Sequence, residues 1–326
     1  MKVIHREEII AALSKDAVID AVRDAFVAHS RGQIESAMPM HMTYRDEAGN
    51  RSGDCHVKAA HSDHHPVIAI KTAIGFYKNP ERGLPVNNGL VLLLSRLTGE
   101  PVALLLDEGL LTTYRTAAAG AIAAGLASVA PADGIGIIGT GDQAYHQADW
   151  TAHYLGLTNV TVFGRSTDKA DALVRRLRAN GLEAQRVDSV ADLCAASRVV
   201  ITTTPASDPV VLSSDLAASR SAPIHFIAVG ADTHGKQELD TDILAKAATI
   251  IVDDKDQCMD HGEVAAAHRT GVIDPDRLIS LGSALANDMK IADDVSIVDL
   301  TGLGAQDLAI ASLVIRDGDF ALDSQD

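Results

Sequence analysis

Residues 139–144 form a glycine-rich segment, GTGDQA, between an apolar run and an amphipathic stretch. The preceding run is typical of a strand, and the residues from Gln143 onward are typical of a helix. Gly139 allows a tight turn, Gly141 lets a ligand phosphate approach the helix N-terminus, and Ala144 lets helix and strand pack closely. An ordinary strand-to-helix turn is the alternative. The order strand, loop, helix favours a dinucleotide-binding Rossmann unit, with Asp142 and Gln143 also in the cofactor loop.

The end of the second predicted strand of this unit indicates which dinucleotide is bound. Enzymes that use NAD usually place a carboxylate there, and it bonds both ribose hydroxyls. This chain has Arg165 and Ser166 instead. A guanidinium beside a hydroxyl suits a 2′-phosphate better than a bare hydroxyl, so we expect NADP(H) to be preferred over NAD(H). The alternative is that Arg165 is merely solvated.

Histidines and cysteines offer little support for a metal site. His64 and His65 are adjacent rather than four residues apart, and the sequence contains no H-E-x-x-H helix. We therefore predict no metal cofactor. His56 is a candidate polar group of a substrate site, although a surface histidine is an equal alternative. The cysteines are few and widely spaced, so we predict free thiols rather than a disulfide framework or a zinc ribbon; they are Cys55, Cys194 and Cys258.

The elements that must position these residues fall into two patterns. From residue 135 onward, strands alternate with helices at the spacing of a parallel sheet with both faces covered. The predicted strands are 135–138, 160–163, 199–202, 224–229, 249–252 and 297–299. Residues 38–106 instead contain short runs of strand-forming residues broken by turns, which predict an antiparallel or mixed sheet. The expected fold class is α/β: a Rossmann-type parallel sheet domain and an α+β domain.

Three further segments complete this prediction. Residues 89–94 and 101–106 predict a hairpin, and the all-apolar first strand requires cover on both of its faces. Residues 14–32 predict a helix capped by Ser14 or Asp16. Small residues at 116–129 predict a helix that ends before Pro131, and residues 306–314 predict a last helix.

Charge and composition exclude some classes of partner. The chain has 326 residues and a net charge of −16, and no cluster of lysine and arginine interrupts this negative charge. Such a field repels phosphate backbones, so we expect no nucleic acid partner. The most apolar windows are too short, or too rich in alanine and glycine, to span a membrane. The N-terminus lacks a signal-peptide pattern, so we expect a cytoplasmic protein without membrane association.

Five motifs and one lysine match a known family. They are Lys71, NPERGLP at 79–85, LTTYRTAA at 111–118, GTGDQA at 139–144, GADTHGKQELD at 230–240 and DLTGLGAQD at 299–307. Over nearly its whole length the chain resembles the ornithine cyclodeaminase/mu-crystallin family, which includes archaeal-type alanine dehydrogenases and ketimine reductases.

The resemblance implies roles for individual residues. It implies that Lys71 and Arg115 hold a substrate carboxylate and that Asp232 exchanges a proton with the substrate nitrogen, which makes Lys71 and Asp232 the expected catalytic residues. Where the family often has another arginine, this chain offers His56 and Lys58 as substrate ligands. Further cofactor contacts are expected at Thr116, Thr203, Val229, Gly230, Gly302 and Leu303.

The resemblance also implies the domain organisation. A substrate-binding and dimerisation domain would comprise residues 1–112 and 306–326, and the Rossmann domain residues 113–305. We expect a homodimer that acts on a small amino or imino acid.

Three functions are compatible with these residues. The first is an NAD(P)H-dependent reductase or dehydrogenase that interconverts an imino acid, or a keto acid plus amine, and an L-amino acid. The second is a cyclodeaminase, in which tightly held NAD⁺ is reduced and reoxidised within one turnover. The third is a crystallin-like binding protein without catalysis, which the fold alone does not exclude.

Lys71 and Asp232 each have a structural alternative. Lys71 follows an apolar run, and its side chain could belong to an edge strand with the ammonium in solvent. Asp232 could simply cap a helix at residues 235–239. Both alternatives concern position in the fold, and the structure can test them.

Overall fold

The computed structural model describes residues 1–216 and 223–315. The chain divides into two compact units: Met1–Arg115 together with the chain from Leu303 onward, and Thr116–Gly302. These boundaries lie three residues from the expected ones. The end of the expected first domain, residues 316–326, lies outside the described residues.

The first unit contains a seven-stranded mixed sheet. Its strands are β1 Lys2–His5, β2 Ile34–Ser36, β3 Met40–Arg45, β4 Arg51–Ser62, β5 Val67–Phe76, β6 Asn87–Ser95 and β7 Pro101–Leu106. The order across the sheet is β1-β7-β6-β5-β4-β2, and β3 also pairs with β4. β1 runs parallel to β7, and the other pairs are antiparallel. The predicted mixed sheet and the predicted hairpin, β6 with β7, are confirmed.

The second unit contains an eight-stranded sheet in which all pairs are parallel. Its strands are β8 Ile135–Ile138, β9 Asn159–Phe163, β10 Glu183–Arg186, β11 Val199–Thr202, β12 Ile224–Ala228, β13 Thr249–Val252, β14 Leu278–Ser280 and β15 Val295–Asp299. The order is β10-β9-β8-β11-β12-β15-β13-β14. The Rossmann-type fold class is therefore confirmed. Buried side chains of this sheet, among them Phe226 on β12 and Ile297 on β15, form an apolar core with residues of the surrounding helices and loops.

Eleven α-helices occur in the described residues. They are α1 Arg6–Ala12, α2 Lys15–Ser30, α3 Leu110–Ala124, α4 Asp142–Leu155, α5 Thr167–Ala179, α6 Val190–Ala196, α7 Thr241–Lys246, α8 Lys255–Asp260, α9 Glu263–Arg269, α10 Leu281–Ala286 and α11 Gly304–Val314. Ser14 caps α2, as expected, because its hydroxyl accepts a hydrogen bond from the Ala17 amide. α11 packs against α2, β4 and β5 within the first unit. None of the described helices has the length and apolar character needed to cross a membrane.

The two faces of the first sheet differ in burial. Lys71 on β5 lies beside Val91 on β6, which in turn lies beside Leu105 on β7, and all three side chains are buried. Alternate residues along these strands point to the opposite face of the sheet, and their apolar side chains are only partly covered. We call this second surface the open apolar face; it comprises Val3, Ile68, Ile70, Leu90, Leu92, Leu94, Leu104 and Leu106. The predicted cover on both faces of β6 is thus incomplete within one chain.

Some predicted boundaries were wrong. The helix expected at 116–129 is α3, which begins six residues earlier because the Asp107 carboxylate accepts a hydrogen bond from the Leu111 amide. It ends at Ala124, before the predicted end, and Ala127 instead pairs with Ile291 in a parallel bridge. Four short strands, β1, β2, β10 and β14, were missed because each is at most four residues long and lies at the end of its sheet.

Candidate active site

The dinucleotide loop has the geometry that its sequence predicts. β8 ends at Ile138, and Gly139 follows with a φ of 129°, in the region that favours glycine. A Cβ at Gly139 would lie 2.4 Å from Thr203 Oγ1, whereas a Cβ at Gly141 would meet no heavy atom within 4 Å. Gly141 is the N-cap of α4 and supplies no capping side chain. A 14-residue helix therefore begins beside open space, which suits a pyrophosphate on its N-terminus.

A cleft of about 870 Å³ lies beside this loop in the second unit. Among the expected cofactor residues, its lining includes Gly139, Gly141, Arg165, Ser166 and Thr203. The Ser166 hydroxyl caps α5 by accepting a hydrogen bond from the Lys169 amide at 3.4 Å. Lys169 also lines the cleft, which the sequence did not suggest. The only available signal was its place in the first turn of the helix after β9. The residues present therefore fit a dinucleotide, with two cations at the end of β9.

The other expected cofactor residues make defined contacts but do not line this cleft. The Asp142 carboxylate pairs with Arg176 at 3.0 Å, and the Gln143 side-chain oxygen accepts from Gln147 at 3.5 Å. The Thr116 carbonyl accepts a hydrogen bond from Gln147 Nε2 at 2.8 Å. Ala144 is buried in α4. The remaining residues are held through their backbone: Val229 by Thr202, Gly230 by Glu238, Gly302 by Asp253 and Leu303, in the first unit, by Gln306.

The three cations expected as substrate ligands in the first unit are buried. β4 and β5 pair so that Lys58 lies directly opposite Lys71, on the same face of the sheet. The exposed fractions of Lys58, Lys71 and Arg115 are 5 %, 2 % and 6 %. Because β5 lies between β4 and β6, the edge-strand alternative for Lys71 was wrong.

One carboxylate, Asp307 on α11, pairs with two of these cations. Its Oδ2 lies 3.5 Å from Lys71 Nζ, and its Oδ1 lies 3.3 Å from Arg115 Nε. At these distances both contacts are ion pairs, and among the described residues neither the Asp307 oxygens nor Arg115 Nε have a well-aligned hydrogen-bond partner. Arg115 Nη1 donates to Gln306 Oε1 at 3.0 Å. The sequence alone does not indicate this role of Asp307, because the contact depends on how α11 packs on β5.

The electrostatics of this cluster favour an additional anion. Burial lowers the pKa of Lys71, the nearby Arg115 charge lowers it further, and Asp307 opposes the shift. Burial raises the pKa of Asp107, whose carboxylate caps α3. Lys58, Lys71 and Arg115 are three buried cations, and two carboxylates, Asp307 and Asp107, act on Lys71. Buried charges that are not balanced are costly, so another negative group would stabilise the cluster. The arrangement can therefore bind a small carboxylate.

His56 lies on β4, two residues from Lys58 and on the same face. It is partly buried, its ring stacks at a tilt against His41 with centroids 4.5 Å apart, and its Nε2 lies 4.0 Å from Asp54 Oδ1. Asp54 also accepts hydrogen bonds from Arg51 and the Tyr77 hydroxyl. His56 is therefore part of a polar network near the start of β4 and not a solvated surface histidine.

Asp232 lies in the loop that follows β12, at the carboxyl end of the parallel sheet of the second unit. Its Oδ1 accepts a hydrogen bond from Lys236 Nζ at 2.6 Å, and the two side chains are 40 % and 17 % exposed. Residues 235–239 form a turn and extended chain rather than a helix. The alternative that Asp232 merely caps a helix there was wrong, and the Asp232–Lys236 pair was not predicted.

Two clusters bring histidines close to aspartates. In the described part of the chain, His41, Asp54 and His56, and likewise His234, Asp260 and His261, place their ligand atoms within 4.8 Å of one another. Asp54 already accepts hydrogen bonds from Arg51 and the Tyr77 hydroxyl, whereas Asp260 pairs with the two histidines of its own cluster. The three cysteines form no disulfide and are buried, as expected.

Known proteins resemble the whole chain. An uncharacterized cyclodeaminase of Sinorhizobium fredii is 35% identical, with 97% of this chain and 95% of that protein covered. An archaeal alanine dehydrogenase, solved as a dimer with bound NAD, is 30% identical at a TM-score of 0.85, with coverage of 96% and 94%. The iminosuccinate reductase of Paracoccus denitrificans, solved with NAD⁺, is 27% identical at a TM-score of 0.84, with coverage of 96% and 95%. The ornithine cyclodeaminase/mu-crystallin family model matches residues 1–318, and the chain belongs to this family.

Proposed function

We propose that this protein is an NAD(P)H-dependent oxidoreductase that interconverts an imino acid, or a keto acid plus an amine, and an L-amino acid. The observation that carries the proposal is the buried Asp307 carboxylate shared between Lys71 and Arg115. The glycine-rich loop beside the cleft supports binding of a dinucleotide. Relatives named alanine dehydrogenase and iminosuccinate reductase support this class of reaction.

In this proposal Lys71 and Arg115 bind the substrate carboxylate. The incoming anion compensates the positive charge of Lys58, Lys71 and Arg115 that Asp307 and Asp107 leave unbalanced. Lys58 and His56, on the same sheet face, are proposed as further substrate ligands. A carboxylate held by two cations is fixed in orientation as well as in position, and this lowers the entropic cost of the reaction.

Asp232 is proposed to exchange the proton of the substrate nitrogen. Reduction of a C=N bond needs a proton at nitrogen and a hydride at carbon, and a bound reduced nicotinamide supplies the hydride. Lys236 holds the Asp232 carboxylate in one orientation at 2.6 Å and offers a second ionisable group beside it. Because Asp232 is partly exposed, its proton can exchange with solvent between turnovers.

NADP(H) is proposed as the preferred cofactor. Arg165 and Lys169 line the cleft at the end of β9, where a 2′-phosphate would need cations. The Ser166 hydroxyl is already used as a helix cap, so we assign the preference mainly to the two cations. The expected cofactor residues outside the cleft are also proposed to contact the cofactor. Four of them would do so through atoms other than the amide N–H, because that group already donates within the protein; they are Val229, Gly230, Gly302 and Leu303.

A homodimer is proposed to form through the open apolar face. This face is a continuous surface of leucine, isoleucine and valine side chains on four strands, and α11 packs against the opposite face, which bears Lys71. A large apolar surface left open in one chain is typical of an obligate interface. The archaeal relative solved as a dimer supports a second copy as the occupant.

Location and partners remain expectations of the proposal. Free buried cysteines are typical of a reducing compartment, which supports the cytoplasm. A net charge of −16 argues against nucleic acid. We propose a reaction without a metal ion, because hydride and proton transfer need none and Asp54 of one histidine cluster is already bonded to Arg51 and the Tyr77 hydroxyl.

The proposed function is tested by following NADPH absorbance with a panel of substrates. The panel contains pyrroline-2-carboxylate, piperideine-2-carboxylate, pyruvate with ammonia or methylamine, and oxaloacetate with ammonia. A reductase consumes one NADPH for each amino acid formed. A cyclodeaminase, the class named for the relative from Sinorhizobium fredii, would release ammonia from a diamino acid with no net change in NADPH. A protein that binds cofactor but transforms no compound of either kind would contradict the proposal.

A further inference from the structure

Glu238 is a buried carboxylate that connects the ends of two neighbouring strands of the second unit. It is 0 % exposed. Its Oε2 accepts hydrogen bonds from Thr202 Oγ1 and from the Gly230 amide, both at 2.7 Å, and its Oε1 accepts from the Thr204 amide. Thr202 is the last residue of β11, and Gly230 follows β12 by two residues. One side chain therefore holds both loops at the carboxyl edge of the sheet.

The backbone around Glu238 is tightly packed. A Cβ at Gly230 would lie 2.2 Å from the Thr204 carbonyl oxygen and 2.6 Å from Glu238 Cδ. Gly230 is thus pressed against the carboxylate and the neighbouring loop. Asp232 follows two residues later, so any movement of Gly230 shifts the Asp232 backbone and with it the position of the carboxylate.

A second buried carboxylate holds Glu238 itself. Glu263, the first residue of α9, accepts hydrogen bonds from the Glu238 and Leu239 amides at 2.7 and 3.0 Å. Asp299, at the end of β15, in turn accepts from the Val264 amide at 2.9 Å. In the described part of the chain, the hydrogen bonds to these three carboxylates come from amide and hydroxyl groups, with no lysine or arginine involved. Burial raises the pKa of Glu238.

We propose that Glu238 is a positioning residue for Asp232: it fixes the Gly230–Asp232 turn against the end of β11. The inference rests on the proposed function, because it assumes that Asp232 exchanges the substrate proton. Glu238 itself contacts neither substrate nor cofactor in this proposal. Thr202 donates a hydrogen bond to the Glu238 carboxylate and so supports the same turn indirectly.

The inference is tested by a double-mutant cycle on kcat at saturating cofactor. Asp232→Asn alone should lower kcat by about a hundredfold or more, as the loss of a general acid or base does. Glu238→Gln places an amide N–H against a backbone or hydroxyl donor and should lower kcat about tenfold in the wild-type chain. In the Asp232→Asn background, the same change should lower kcat less than about twofold, since coupled residues are not additive. The loss in melting temperature should be equal in both backgrounds.

Equal tenfold losses in both backgrounds would overturn the inference, because a merely structural role reduces the two rates alike. If Asp232→Asn leaves kcat unchanged, the proposed role of Asp232 fails first, and the single variant reveals this without the cycle. Thr202→Val removes one donor without removing the carboxylate, and it replaces Glu238→Gln if that variant does not fold. It should show the same non-additivity with a smaller loss. Glu183→Gln, an exposed residue of β10, is the matched control and should change kcat in neither background.

Discussion

Single residues at the end of β9 decide the expected cofactor preference. Arg165→Ala and Lys169→Ala should each weaken NADPH binding about tenfold, because a charge-assisted hydrogen bond contributes about 1.5–3 kcal/mol. NADH lacks the 2′-phosphate, so its dissociation constant should change less than about twofold. Fluorescence titration of both cofactors measures this difference.

The matched control for this pair is Arg175→Ala, since Arg175 is an exposed arginine of the same helix, α5. It should leave both dissociation constants unchanged. If the Arg165 and Lys169 variants weaken the binding of NADPH and NADH equally, a 2′-phosphate site is excluded. The two cations would then interact with the pyrophosphate that both cofactors share.

At this scale the sequence predicts local motifs better than distant partners. Gly139 and Gly141 could be identified from the sequence. A tight turn requires glycine at the first position, and close approach of a ligand to the helix N-terminus favours glycine two residues later. Lys71 and Arg115 could be named by resemblance, but the apolar run before Lys71 did not distinguish a buried lysine from an edge lysine. Asp307 and Glu238 were beyond prediction, since each acts on residues of other elements.

The carboxylates that link β11, β12, α9 and β15 make a pH-dependent contribution to stability. Burial, and then the charge of Asp299, raise the pKa of Glu263 well above its ordinary value of 4.5. The folded state therefore keeps a proton on Glu263 that the unfolded chain releases above about pH 4.5. The stability that this residue contributes is full below that pH and falls as the pH rises toward the folded-state pKa.

Glu263→Gln should remove this dependence. The melting temperature of the variant, relative to wild type, should be higher at pH 8 than at pH 5, and a change of 1 kcal/mol shifts it by about 2–4 °C in a unit of this size. Glu183→Gln, an exposed glutamate, should show the same difference at both pH values. A constant difference for Glu263→Gln would mean that Glu263 is ionised in the folded protein.

Among whole elements, buried parallel strands were the easiest to predict. β11 and β13 have the predicted bounds because Val199–Thr202 and Thr249–Val252 are continuous runs of β-branched residues. The start of α3 was missed because it depends on the Asp107 cap, and small residues later in the helix gave the stronger pattern. Short edge strands such as β10 have no comparable apolar run. They pair with one neighbouring strand only, so their side chains need not be buried on both faces.

For the whole molecule, the open apolar face leads to a prediction about assembly. Leu92→Lys places a charge in the middle of this face, between Ile70 on β5 and Leu104 on β7. An unpaired buried charge is strongly destabilising, so the variant should become a monomer of 34.2 kDa where the wild type has twice that mass. Light scattering coupled to size exclusion measures the change.

Leu97→Lys serves as the control, because Leu97 lies in the turn between β6 and β7 with 75 % of its surface exposed. This variant should remain a dimer. A wild-type protein that is monomeric at micromolar concentration, or a Leu92→Lys variant that remains dimeric, would place the interface elsewhere or exclude it.

The central claim is that Lys71 and Arg115 bind the carboxylate of the substrate, and the role of that carboxylate can be measured directly. The measurement compares kcat/KM for pyrroline-2-carboxylate and for its methyl ester, with NADPH as reductant. We expect the wild-type enzyme to prefer the acid by about a hundredfold or more, since two charge-assisted contacts are lost in the ester. Lys71→Met should abolish most of this preference. Wild-type enzyme that reduces acid and ester equally well would contradict the account.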